Sequence, residues 1–246
     1  MSTLFYRNPV LINSARHAAT GLRDIDDFGF ARAANAIPVN LVEFALAARR
    51  YPLAFVGDVD PYPAAIVGLK DGNLFIDAAG AWKSDCYVPA YVRRYPFIFA
   101  DDKDRGLLSL CVDEEVLTGD GGRRLFEDEK PTPFTNQALE FCKDYHAAAL
   151  STQAFAKAVV EQDLLTERQA TARLKDGDAY VLTGFRVIDE EKLRALSGEV
   201  LADWNAKGWL KALFAMVQSS VNWGDLADLL ATNGPPPVLK TRKTKN

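Results

Sequence analysis

The residues best suited to recognition chemistry fall early in the chain. Tyr87, Tyr91, Arg93 and Arg94 lie in "YVPAYVRRYPFIF", Trp82 stands just upstream, and His17 sits in "SARHAATGLRD". A guanidinium pair rimmed by tyrosines can clamp a carboxylate or a backbone carbonyl by charge-assisted hydrogen bonds, and aromatic–arginine surfaces are common hot spots of binding. The same arginines also fit a local role. Cations in the last turn of a helix bond its free carbonyls and lay their stems over neighbouring rings. Both readings stand open at this level. Trp82 fits a recognition platform or a lid over the core. His17 fits a general base, a polar anchor for a ligand, or a hydrogen-bonded histidine that orders the N-terminal segment.

Other chemistry is thinner. The chain has two histidines, His17 and His146. Cys142 and His146 share a face at i and i+4 of an expected helix. A closed zinc site needs four ligands, and no second such pair exists, so no metal is expected. The string Asp24, Asp26, Asp27 does not match a calcium loop and reads as a solvated turn. Phosphate-loop, dinucleotide, nucleophile-elbow and metalloprotease signatures are absent, and no cofactor is expected. A catalytic reading therefore has to rest on His17 and its nearby acids.

The elements that would position these residues are legible. "ALAARRYPLAFVGD" and "PAYVRRYPFIFADD" share the block R-R-Y-P followed by apolar residues. Each copy predicts a helix stopped by Pro52 or Pro96, then a short buried strand, then a second apolar run. Lys70-Asp71-Gly72 and Lys175-Asp176-Gly177 predict two hairpins, and "GDGG" at 119–122 predicts a looser third. Helical periodicity starts at Asn136, with Leu139, Cys142, His146, Ala149, Phe155 and Val159 on one stripe. Asp189 caps a further helix, Gly208 ends another, and Leu210, Leu213, Phe214, Val217 and Val221 recur at core spacing. The fold class is α+β: a largely antiparallel sheet built from hairpins, packed helices and a helical C-terminal lobe. Residues 1–233 read as a single domain, with 1–130 mixed and 135–233 mainly helical. Residues 234–246, "GPPPVLKTRKTKN", read as a disordered basic tail.

The 246 residues carry a net charge of −4, so the body has no nucleic-acid footprint. Three cysteines without framework spacing suit a reducing compartment. The start lacks a basic region followed by an apolar one, and no apolar window is long enough to span a membrane. The expected location is cytoplasmic, with leaderless export to the surface left open.

Several segments together resemble the bacterial SapC family over roughly residues 8–232. They are "RHAATGL", "IPVNLVEF", "YPLAFV", "GNLFID", "GAW", "YVPAYVRRYPFIF", "RRLFED", "LTGFRVIDEEKLRAL" and "SSVNWGDL". The Pro-rich basic tail departs from the family pattern. The family is named from a surface-layer locus, and its members stand near halogenase-like enzymes, cupin-like proteins and TonB-dependent receptors. The resemblance implies an accessory role in peptide modification or nutrient uptake, with no catalytic residues to carry over. The expected function is a non-catalytic module that binds a peptide or protein partner through Tyr87, Tyr91, Arg93, Arg94 and Trp82, with His17 less central. The alternatives are a surface-layer component and an enzyme built on His17.

Overall fold

The computed structural model describes residues 4–69, 72–102, 107–119, 121–173 and 179–233. The basic tail and the two residues that open the first D-G turn, Lys70 and Asp71, lie outside the described residues, as does the whole Lys175–Gly177 turn. The N-terminal half runs β1 (Pro9–Leu11), α1 (Ser14–His17), β2 (Gly21–Leu22), β3 (Ala36–Pro38), α2 (Phe44–Ala47), β4 (Leu53–Val56) and β5 (Tyr62–Ile66). It continues through α3 (Ala90–Arg93), β6 (Phe97–Asp102), β7 (Leu107–Asp113), β8 (Leu117–Thr118), β9 (Arg123–Arg124), β10 (Phe126–Glu127) and β11 (Lys130–Pro131). The rest comprises α4 (Pro133–Glu161), β12 (Leu165–Arg173), β13 (Ala179–Ile188), α5 (Glu190–Arg194), α6 (Gly198–Ala206), α7 (Trp209–Gln218) and α8 (Asn222–Asn233).

The fold is α+β, and its strand pairs are antiparallel. A five-stranded sheet has the order β12-β13-β4-β5-β3, so the late hairpin extends a sheet begun early in the chain. A three-stranded sheet β1-β7-β6 and another, β8-β2-β9, complete the first half with the small β10-β11 pair. Both R-R-Y-P blocks do lead from a helix into a hairpin, β4-β5 and β6-β7, but the two hairpins enter different sheets. The expected D-G hairpin β12-β13 is present.

Two other expected hairpins are not. After β5 the chain does not return as a strand. The Leu74 N–H donates to the Val67 carbonyl at 2.9 Å, but β5 is already flanked by β4 and β3. With both edges taken, the turn chemistry had no strand to pair. At 119–122 the flanking strands β8 and β9 do not pair with each other, because β2 inserts between them. A long-range partner displaced the local one.

Local signals explain the helices. Thr132 caps α4 by accepting from Thr135 N, and Pro133 occupies the first turn, where its missing N–H costs nothing. That is why α4 starts before Asn136. Its 29 residues run about 43 Å. The helix reaches two hydrophobic clusters: Tyr145, Phe155 and Val159 pack in the larger, Cys142 in the smaller beside Phe97, Leu110 and Leu125. Asp189 caps α5 through Glu191 N and Lys192 N, at 3.0 and 3.2 Å. Gly208 takes φ 71 after α6, as a terminating glycine should.

The core stripe of the last helices is a correction. Leu213 is fully buried, but Phe214 is 52 % exposed and Val221 is 76 % exposed. Residues 209–217 are apolar on nearly every side, so periodicity alone does not fix the phase. A 3-10 turn at Ser219–Val221 then shifts it. The buried set is Ala212, Leu213, Met216, Ser219, Asn222, Leu226 and Leu230.

Candidate functional site

Glu43, which is 3 % exposed and was not among the candidates, ties Tyr87 and the start of α3 to the turn before α2. Asn40 and Glu43 form a capping box at the 3-10 turn that precedes α2. The carboxylate then reaches into the second R-R-Y-P segment. Its Oε1 accepts from the Tyr87 hydroxyl at 3.0 Å and from Ala90 N at 2.7 Å, while Oε2 accepts from Asn40 N at 2.9 Å. The helix of the first copy therefore anchors the start of the helix in the second.

The two adjacent arginines part company. Arg93 is exposed. Its Nε donates to the Val88 carbonyl and its Nη2 to the Tyr87 hydroxyl, each at 3.0 Å, and its Cζ lies 5.4 Å from the Phe141 ring centroid. Arg94 is 5 % exposed and points inward. Its Cζ lies 4.3 Å from the ring centroids of both Tyr91 and Tyr145. Burial works against its charge, the surrounding tyrosine oxygens favour it, and the balance holds its pKa above the ordinary value. Neither guanidinium closes the carbonyl end of α3, as the local reading expects. Instead a backbone group serves that end: Arg94 N turns back onto Ala90 O.

Burial also corrects the expected contact surface. Tyr91 is 1 % exposed, Trp82 is 8 % exposed, and with Arg94 they face the core rather than a partner. Trp82 Nε1 donates to the Tyr51 hydroxyl at 3.0 Å, which donates to the Tyr87 carbonyl at 2.6 Å. Phe28 packs edge-on to the Trp82 ring. It is the core lid of the two readings. Arg93 and half-buried Tyr87 remain at the surface. The first R-R-Y-P copy is arranged differently: Arg49 and Arg50 are both exposed, Arg50 pairs with Asp85, and Tyr51 is fully buried.

His17 is held elsewhere. It is buried on α1, and its Nδ1 lies 3.2 Å from the Asn13 carbonyl and 3.3 Å from Asn13 N. Asp24, Asp26 and Asp27 are exposed, and Asp27 is occupied in accepting from Gly29 N at 2.6 Å. Cys142 is buried, and that burial pushes its thiol up to about 11. His146 stands edge-on to Phe99. Among the described residues no group of three or more metal-ligating side chains forms.

The structure adds a cleft that the motifs do not announce. It measures about 730 Å³ and lies between the edge of the five-stranded sheet and the C-terminal helices. Arg168, Gln169, Ala170 and Thr171 of β12 form one wall. Phe185 of β13 and Trp223 of α8, stacked at 4.8 Å between centroids, form an aromatic floor. Glu190, Glu191 and Arg194 of α5 form the charged rim, with Arg194 paired to Glu190 at 3.5 Å. Beside it the β12-β13 register shifts between Arg168 and Ala170, where Gly184 takes φ 76. Such bulges twist a strand and re-aim its side chains. The only trace of this in the sequence is the polar run "TERQATAR" followed far downstream by Trp223.

A SapC family model matches residues 12–226. The chain belongs to the SapC family. The match takes in both R-R-Y-P copies, β12 and β13, and Trp223, so Glu43, Arg94 and the cleft lining named above lie within the part this SapC chain shares with its family. No curated protein and no solved structure matches the chain. No described helix is long and apolar enough to cross a membrane.

Proposed function

We propose that this SapC protein is a non-catalytic recognition module that takes an extended peptide segment of a partner protein into the cleft beside β12. The observation that carries this reading is the cleft itself, which runs along an edge strand. β12 pairs with β13 and has no described strand on its other side, so its outer backbone groups suit an added strand. The volume falls in the usual range for ligand sites. The Phe185–Trp223 floor suits an apolar side chain of the guest, and Arg168 with the Glu190–Glu191 rim suits charges at either side. On this reading the guest is a substrate of a halogenase-like modifying enzyme or a component of TonB-receptor-linked uptake, the company that membership of the family implies.

The test is selection of a random linear peptide library on the full chain, followed by affinity measurement on the winners. Arg168→Glu and Trp223→Ala, both at the cleft, are expected to weaken the selected peptides about tenfold or more. Arg93→Ala, on the other surface, is expected to leave them unchanged. Failure to select any peptide, or equal affinity in the cleft variants, would count against the module.

A further inference from the structure

Arg94 poses a question that the peptide cleft does not answer. Its guanidinium is always charged and almost fully buried. Among the described residues no ion pair joins it to a carboxylate. The rings of Tyr91, Tyr145 and, at 5.7 Å, Tyr6 attract the charge. Ring faces do little for N–H groups that lie in the guanidinium plane. Among the described residues, Nε and Nη2 are buried with no acceptor in hydrogen-bond geometry, and the Tyr6 and Tyr91 hydroxyls only stand close to the guanidinium.

Those two nitrogens are a particular pair. Their N–H bonds point the same way from one edge of the plane, which is the side-on fork that takes two oxygens of an oxyanion in parallel. Nearby, Asn40 Nδ2 is also buried, with no acceptor in full hydrogen-bond geometry among the described residues, and the Asn40 side chain faces the hydroxyl of Tyr145, whose ring Arg94 covers. Donors gathered without acceptors match a species that can turn charged, purely accepting oxygens toward them. A water would accept as well, but it brings two hydrogens of its own that need partners.

We propose that Arg94, through its Nε–Nη2 edge and with Asn40 beside the shared Tyr145 ring, forms an interior site for a small oxyanion, a carboxylate or inorganic phosphate. The N-terminal segment closes over it. Leu4 N donates to the Tyr91 hydroxyl at 3.2 Å, Phe5 packs edge-on to Tyr91, and the Tyr6 hydroxyl donates to the Phe97 carbonyl at 2.7 Å. No residue of this site lines the β12 cleft, so the two proposals stand or fall separately.

The test is thermal unfolding of the full chain at constant ionic strength, in sodium chloride alone and with increasing acetate or phosphate. An anion held only by the folded state raises the midpoint as its concentration rises. The rise is expected in the wild type and in Arg93→Lys. It is expected to vanish in Arg94→Lys, which keeps the charge and loses the fork. A response to acetate alone assigns a carboxylate ligand, and one to phosphate alone assigns phosphate. No response, a response to chloride as large as to the oxyanions, or an equal rise in Arg94→Lys overturns the proposal. Should Arg94→Lys fail to fold, wild-type crystals grown with the responding anion decide. Oxyanion density on the Nε–Nη2 edge supports the site, and water there overturns it.

Discussion

Glu43 accepts three hydrogen bonds, from Tyr87 Oη, Ala90 N and Asn40 N, while almost wholly out of water. Removing such an acceptor strands all three donors at once. Hydrogen bonds to a charged group contribute about 1.5–3 kcal/mol each, and they are not additive. Glu43→Ala is expected to cost about 3 kcal/mol or more in chemical denaturation. Glu43→Gln keeps the shape but turns an N–H toward a donor, and is expected to cost about 2 kcal/mol. Arg93→Ala removes surface contacts only and is expected to stay within about 1 kcal/mol. A ranking in which Arg93 costs more than Glu43 would refute this account of the cluster. The arginines were visible in the sequence because R-R among aromatic residues is unusual. Glu43 was not, since a glutamate three residues into a helix reads as an ordinary capping partner. Which of two neighbouring arginines turns inward is likewise invisible, because both carry the same side chain and only the packing of Tyr91 and Tyr145 separates them.

Strands and turns follow the same pattern at the next scale. β2 is held between β8 and β9 by close backbone approach. A Cβ on Gly122, which has φ 71, would stand 2.2 Å from the Leu22 carbonyl oxygen. Gly184 has φ 76 in the β13 bulge, with nothing within 4 Å of its absent Cβ. The two glycines therefore separate two effects. Gly184→Ala should cost only the left-handed backbone penalty, about 1 kcal/mol. Gly122→Ala should cost clearly more, because β2 or β9 must also move, and a thermal melt of each variant checks the order. The C-terminal elements are tied in by side chains with no local signature. Asn222 Nδ2 donates to the carbonyls of Ala48 and Tyr51, at 2.7 and 3.0 Å, and Ser219 Oγ accepts from Leu53 N at 2.8 Å. Helix caps at Asp189 and Gly208 were readable because capping is settled within four residues, whereas the Thr132 cap, just ahead of the apolar stripe, was passed over. The missing hairpins after β5 and at 119–122 were misread because strand pairing is settled by which edges remain free.

Across the whole molecule, burial of acidic hydroxyls and thiols gives a defined pH response. Burial pushes Tyr95 from 10.0 up to about 12, helped by Asp113, and Cys142 from 9.0 up to about 11. Tyr6, Tyr51 and Tyr145 are pushed up by burial as well. The unfolded chain gives up these protons near the ordinary values while the folded chain keeps them, so the unfolded state gains stability as pH rises. The contribution is fully present below about pH 9 and is lost progressively toward about pH 12. The thermal midpoint is expected to fall steadily across that window, and an unchanged midpoint from pH 8 to 11 would contradict the burial described here. By itself the sequence determined what depends on near neighbours: the α+β class, most helix ends, the β12–β13 hairpin, the two R-R-Y-P joints and the family. Only the tertiary structure decided the rest. It sent the two hairpins to different sheets and turned Arg94 inward while leaving Arg93 out. It buried Trp82 and opened a cleft between a sheet edge and helices that the chain reaches tens of residues later. Each outcome depends on free strand edges and on volume shared by distant segments, and neither is written in any local run of residues.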